Sequence, residues 1–106
     1  MIERIKSFLQ ARSQTARLSI FSAGFCLSKE YGTRYGLLMA VLLCSGTDQD
    51  EAEIAAYNLI NNKADAVVNE VFSCFKDIAV REQMMQTTDF LRNPEAASEF
   101  VTAIFG

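Results

Sequence analysis

The chain has 106 residues, of which 50% are hydrophobic and 22% charged, and it contains no histidine. This length and composition suit one folded domain with a substantial core, and they exclude a disordered or low-complexity polypeptide. The lack of histidine excludes Ser-His-Asp and Cys-His catalysis and Cys/His zinc sites. Because the chain also lacks the glycine-rich phosphate-binding and nucleophile motifs of common enzymes, we expect a protein that is not an enzyme.

Two helices are predicted in the first third of the chain. Residues 2–12 place apolar side chains on one stripe of a short amphipathic helix. Residues 16–29 are apolar almost all round, so this segment is expected to be deeply buried or to meet a partner. Small residues stand four apart in two pairs, Ser19/Ala23 and Gly24/Ser28, and they would let another helix approach closely. A strand at 18–22 is the competing local assignment.

The most apolar helix is predicted in the middle of the chain. The two glycines of residues 31–36 indicate a loop, and Thr33 can cap the helix that follows, roughly over residues 34–45. This helix contains the longest apolar run, which is far too short to span a bilayer and therefore predicts a buried core helix. Gly46 stands where a helix-ending glycine is expected.

The remaining helices follow from periodicity and capping signals. After a helix at about 48–62, a long helix starts at Asp65, with an apolar stripe that includes Phe75 and Ile78. It runs on to about residue 91 or breaks near 86–89. The last helix begins cleanly, because asparagine is a good N-cap and proline fits the first helical position of the segment "NPEAASEF".

The fold class predicted from these elements is all-α. We expect a single helical domain over residues 1–106, a compact bundle of five or six helices with mostly antiparallel neighbours. No signal peptide and no membrane span are apparent in the sequence, so we expect a cytoplasmic protein. Cys26, Cys44 and Cys74 show no pairing pattern, which argues against disulfides. We expect three buried thiols, with a reactive cysteine as the alternative.

The densest group of acids, "TDQDE" at residues 47–51, allows two interpretations. Both Thr47-x-x-Asp50 and Asp48-x-x-Glu51 match a helix-capping pattern, and acids in a first turn complement the helix dipole. The calcium-loop pattern of EF-hands fails here, but Asp48, Asp50 and Glu51 could form a looser oxygen site. We expect the helix start and no cofactor, with a divalent cation bound by these three acids as the alternative.

A resemblance is carried by residues 37–60, "LLMAVLLCSGTDQDEAEIAAYNLI". This stretch resembles the helix–turn–helix core of the tellurite-resistance TerB-like family, in which an apolar helix runs into an acid-glycine turn and glutamates start the next helix. Gly46 and Glu51 match that pattern, whereas Ser45 stands where the family has its acid. The resemblance implies an all-helical fold and a cation-responsive stress domain, whose site would need further carboxylates such as Glu70 or Asp77.

The leading functional hypothesis is a non-enzymatic protein-interaction module that forms a homodimer. The apolar segment 16–29 and the apolar last helix suggest its interface, and the alternative place for the same side chains is the domain's own core. These interface candidates are Phe21, Phe25, Phe100, Val101, Ile104 and Phe105.

The charge distribution leaves other partners open. Residues 1–36 carry six bases and two acids, whereas residues 37–106 carry four bases and eleven acids. The acidic portion suits an inhibitor of a nucleic-acid-binding protein. The basic portion, with Tyr31 and Tyr35 for stacking, could bind nucleic acid itself, but the pI of 4.9 and the lack of any reading motif argue against a nucleic-acid partner.

Overall fold

The computed structural model describes residues 2–62 and 65–105, and regular structure in these residues is entirely helical. The prediction of an all-α fold is confirmed, and the competing strand at 18–22 is wrong because those residues lie within a helix. The described elements are α1 Ile2–Gln10, α2 Gln14–Tyr31, α3 Thr33–Cys44, α4 Gln49–Asn62, α5 Asp65–Phe72, a 3₁₀ turn Ser73–Phe75, α6 Ile78–Met85, α7 Thr88–Arg92 and α8 Pro94–Phe105.

The described chain has eight α-helices, not five or six, because the long helix predicted from Asp65 is divided. Lys76 leaves the helical conformation, and the Asp77 side chain then accepts a hydrogen bond from the Ala79 N–H at 2.8 Å, which caps α6. An aspartate that bonds to the backbone in this way competes with helix continuation. A second break falls at Thr87, within the 86–89 stretch that the sequence indicated, since Thr87 has extended backbone before α7.

The connection between α2 and α3 is shorter than predicted. The loop expected over residues 31–36 is reduced to Gly32, whose φ of 91° lies in the region that favours glycine. Thr33 is the first residue of α3 and not its cap, because Gly32 occupies the capping position. The two most apolar helices are therefore joined by a single residue.

Gly46 ends α3 as predicted. Its φ is 96°, its N–H donates to the Leu43 carbonyl at 3.1 Å, and the Thr47 N–H donates to the Leu42 carbonyl at 3.0 Å. These two bonds form a Schellman motif, which satisfies carbonyls that the end of a helix leaves unpaired.

Helices α2 and α3 approach each other at two glycines. A Cβ atom added to Gly36 would lie 2.6 Å from the backbone nitrogen of Ser28 and 2.8 Å from its Cα, and one added to Gly24 would lie 2.7 Å from the Leu37 Cδ1. The small residues Gly24 and Ser28 were predicted to admit another helix, and that prediction is confirmed. The partner helix is α3, which contributes Gly36 to the same contact.

The core is a single connected cluster built around aromatic rings. Phe21 of α2 lies edge-on to Phe100 of α8 with ring centroids 4.9 Å apart, and Phe25 stacks on Phe90 of α7 at 4.3 Å. Helix α8 therefore packs on α2 through its apolar face. Among the described residues, those that are buried as a whole include no polar or charged residue.

The cysteines are placed differently from the expectation of three buried thiols. Cys26 and Cys44 are exposed, and Cys74 is half-buried. Cys26 lies on the face of α2 opposite Phe21 and Phe25, because one residue of helix rotation carries it away from their stripe. A separate expectation concerned membrane spans: of the helices described, none combines the length and the hydropathy needed to cross a bilayer.

Replacing Gly36 by alanine tests the glycine contact. Alanine favours the helix intrinsically, but its Cβ would overlap Ser28 backbone atoms that cannot rotate away. We expect a net loss of about 1–3 kcal/mol in the free energy of unfolding, measured by urea denaturation.

Gly46→Ala provides a matched control for that substitution. A Cβ there meets nothing within 4 Å, so only the left-handed backbone conformation is penalised, at about 1–2 kcal/mol. A Gly36→Ala protein as stable as the parent would show that α2 and α3 do not approach as closely as described.

Candidate functional site

The acidic stretch lies at the start of α4, as the capping patterns predicted. The Asp48 carbonyl accepts a hydrogen bond from the Ala52 N–H at 2.8 Å, and Asp50 and Glu51 occupy the first turn. All three carboxylates are exposed. At this position their negative charges interact favourably with the dipole of α4, whether or not a ligand is present.

The three acids are not brought together as metal ligands. In the part of the chain that the structure describes, no group of three or more His, Cys, Asp or Glu side chains could hold a metal ion. Glu51 instead lines a cavity of about 330 Å³ between α1, α3 and α4, together with Arg4 and Phe8, and neither Asp48 nor Asp50 lines it. A cation site at these acids stays a prediction, and the structure does not bring their carboxylates together.

The two acids suggested as additional ligands are engaged elsewhere. Glu70 forms an ion pair with Lys6, whose Nζ lies 3.3 Å from the Glu70 Oε2, and this hydrogen bond is the main cause that raises the pKa of Lys6. Asp77 caps α6 through the Ala79 N–H. Both carboxylates therefore have structural roles, and neither lines the cavity that Glu51 lines.

The tyrosines that could have stacked on bases are stacked on each other. The rings of Tyr31 and Tyr35 lie 5.5 Å apart with an interplanar angle of 21°. The Tyr31 hydroxyl donates to the Glu53 Oε1 at 2.7 Å, and the Tyr35 hydroxyl donates to the Glu53 carbonyl at 2.5 Å. The hydrogen bond to Glu53 raises the pKa of Tyr31, and burial raises the pKa of Tyr35.

Glu53 thus connects α4 to the junction of α2 and α3. This role could not be read from the sequence, because the partners lie 22 and 18 residues away and share no local motif. The arrangement is one of structural support, since each tyrosine already uses its hydroxyl and one ring face within the domain.

The side chains predicted for an interface lie in the core of the domain. Exposure is 0% for Phe21 and Phe25, 1% for Phe100 and Ile104, and 6% for Val101. Phe105 is half-buried against Phe21, with ring centroids 6.0 Å apart. These six residues thus belong to the domain's own core or pack against it, which was the alternative to an interface. The reason is that α8 folds back onto α2 and covers its apolar face.

The large apolar side chains that are exposed are not among these six residues, and three of them lie on the neighbouring short helices α6 and α7. Ile78 is 72% exposed, Leu91 69% and Met85 46%. Sequence periodicity assigned Ile78 to the inner stripe of one long helix. The break before Asp77 changes the direction of the chain, and Ile78 consequently faces outwards.

These side chains belong to one continuous surface. A depression of about 320 Å³ is lined by five residues of α6 and its end, including Ile78, Arg81 and Met85. A second depression of about 250 Å³, between α6, α7 and α8, shares Arg81 and Met85 and includes Leu91. We name the set Ile78, Arg81, Glu82, Met85 and Leu91 the α6–α7 surface.

Comparison with protein-family models, with characterised proteins and with solved structures gives no match for this chain. The resemblance of residues 37–60 to the TerB-like family therefore stays a prediction.

Thermal denaturation with calcium, magnesium, manganese or zinc tests the cation interpretation of the acidic turn. Because the three carboxylates are exposed and do not converge, we expect no metal-specific rise in melting temperature relative to a chelator-treated sample. The matched variant is Asp48→Asn/Asp50→Asn. A rise with one cation that disappears in this variant would establish a ligand site and support a cation-responsive function.

Proposed function

We propose that this protein is a non-enzymatic interaction module that forms a homodimer through the α6–α7 surface. The observation that carries the proposal is the exposure of Ile78, Met85 and Leu91 on adjacent elements. Large apolar side chains that are grouped at a surface mark interaction sites, whereas scattered ones need no explanation. The non-enzymatic part rests on the absence of histidine and of common catalytic motifs from the sequence.

The exposed stripe of α6 is complementary to itself. Ile78, Arg81, Glu82 and Met85 are spaced by three, one and three residues, which places them on one face of the helix. If two copies of α6 meet in antiparallel orientation, an axis between Arg81 and Glu82 brings Ile78 of each copy opposite Met85 of the other. The same axis brings Arg81 opposite Glu82 of the second copy. A two-fold dimer requires this kind of self-complementary patch.

The apolar and charged residues of this surface have different roles in the proposed dimer. Removal of Ile78, Met85 and Leu91 from water provides the favourable free energy, at about 25 cal/mol per Å² of apolar area. Exposed ion pairs contribute only about 0–1 kcal/mol each, so Arg81 and Glu82 mainly set the orientation of the two copies. Because α6 spans only Ile78–Met85, the interface is small, and we expect a dimer that dissociates in the micromolar range.

Sedimentation velocity over a range of protein concentrations tests the dimer. We expect Ile78→Ser/Met85→Ser to abolish dimerisation while the monomer remains folded, because Ile78 is 72% exposed and Met85 46%, so neither belongs to the buried core. Ile54→Ser is the matched control, since Ile54 is 63% exposed on α4, away from the α6–α7 surface. A parent protein that stays monomeric at every concentration would contradict the proposal.

A charge exchange tests the antiparallel arrangement. Arg81→Glu places two acids on the stripe and should weaken the dimer, and Arg81→Glu/Glu82→Arg should restore it, because the exchanged pair is again complementary. Since the Arg81 guanidinium also lies 5.7 Å from the Phe105 ring centroid, the melting temperature of each variant is needed to separate folding from association. Equal dimerisation of the single and double variants would exclude this geometry.

A further inference from the structure

A second cavity, of about 370 Å³, lies on another side of the molecule, where the end of α1 and the start of α2 meet the 3₁₀ turn. It is lined by Gln10, Arg17, Ser73, Cys74, Lys76 and Asp77. Two cations and one carboxylate thus face one cavity. This cavity shares no residue with the α6–α7 surface, so a ligand bound in it would not depend on the proposed dimer.

Arg17 contains a buried donor without an acceptor. Its Nε is inaccessible to solvent and has no hydrogen-bond partner among the residues that the structure describes. Buried donors in folded proteins nearly always have a partner, so the domain leaves the Arg17 side chain incompletely satisfied. Because Nε is covered, a ligand in the cavity would meet the terminal nitrogens of the guanidinium.

Two polar side chains that line the cavity make hydrogen bonds within the domain. The Asp77 carboxylate accepts from the Ala79 N–H at 2.8 Å, and the Ser73 hydroxyl donates to the Glu70 carbonyl at 2.6 Å. The Glu70 carboxylate is paired with Lys6 at 3.3 Å. Among the described residues, neither Arg17 nor Lys76 forms an ion pair, although the Asp77 carboxylate lines the same cavity.

The Cys74 thiol does not compensate these cations either. Burial raises its pKa, while the charges of Lys6 and Arg17 act in the opposite direction. Burial therefore favours the neutral form of the thiol, so Cys74 is not a counter-charge for Arg17.

We propose that this cavity binds a small molecule through a phosphate group, held by the Arg17 guanidinium and the Lys76 ammonium, with the Gln10 side-chain amide as a further donor. A guanidinium presents a planar fork and an ammonium a point charge, and both are established partners of phosphate oxygens. A phosphate offers acceptors in several directions, which suits cations that stand on different elements. A carboxylate would be satisfied by the fork of Arg17 alone.

The test is a titration with inorganic phosphate and with glycerol phosphate, followed in a proton–nitrogen correlation NMR spectrum. The Arg17 Nε–H signal reports on changes at the guanidinium, whose terminal nitrogens would hold the phosphate. We expect it to shift and saturate at millimolar phosphate, together with the backbone amides of residues 73–77. Sodium chloride at equal ionic strength and sodium acetate should give no saturating shift of this signal.

Substitutions separate the specific site from general attraction to a positive surface. Arg17→Lys keeps the charge but removes Nε and the fork, and we expect about tenfold weaker phosphate binding. Lys76→Gln, at an exposed position, should weaken binding with an unchanged fold, as judged from the rest of the spectrum. Arg12→Gln removes an exposed cation outside the cavity and should leave the affinity unchanged.

Three results would overturn the proposal. The first is the absence of a saturating shift of the Arg17 Nε–H with either phosphate compound. The second is an equal response to chloride or acetate, which would show general ionic or carboxylate binding. The third is an equal loss of affinity in Arg12→Gln and in the Arg17 and Lys76 variants, which would show that only net charge matters.

Discussion

The contact between α2 and α3 is the constraint on which the rest of the structure depends. Gly36 lies against the backbone of Ser28 at distances that admit no side chain, and Gly24 lies close to the Leu37 side chain. Gly32 alone connects the two helices, with a backbone conformation that favours glycine. This close pairing encloses the apolar run of α3, and it presents the Phe21 side of α2 to the helices that follow.

The remaining helices are attached to this pair by specific contacts, and those contacts decide which surfaces are left. Helix α8 covers Phe21 and Phe25, so the apolar faces of α2 and α8 are buried against each other in the core. Helix α4 is joined to the α2–α3 junction through Glu53. Among the described residues of α6, α7 and α8, the large apolar side chains that stay exposed are Ile78, Met85 and Leu91. The proposed interface therefore lies on the α6–α7 surface and not on the most apolar segments.

One local feature has two consequences for function. Asp77 caps α6 and ends the continuity of the predicted long helix. The interruption turns Ile78 outwards, onto the proposed dimer surface, and it places Lys76 beside Arg17 at the proposed phosphate cavity. Periodicity could not reveal this, because the apolar spacing continues across the break and a single aspartate is a weak signal against it.

By itself, the sequence determined the helical class, the end of α3 at Gly46 and the start of α8 at Pro94, because propensity, capping and glycine conformation act within a few residues. It also indicated the acidic first turn of α4. Only the tertiary structure decided which apolar side chains face solvent, whether the acids converge, and which cations share a cavity with Arg17. Those properties depend on distances between elements far apart in the chain, which are set by packing and not by local spacing.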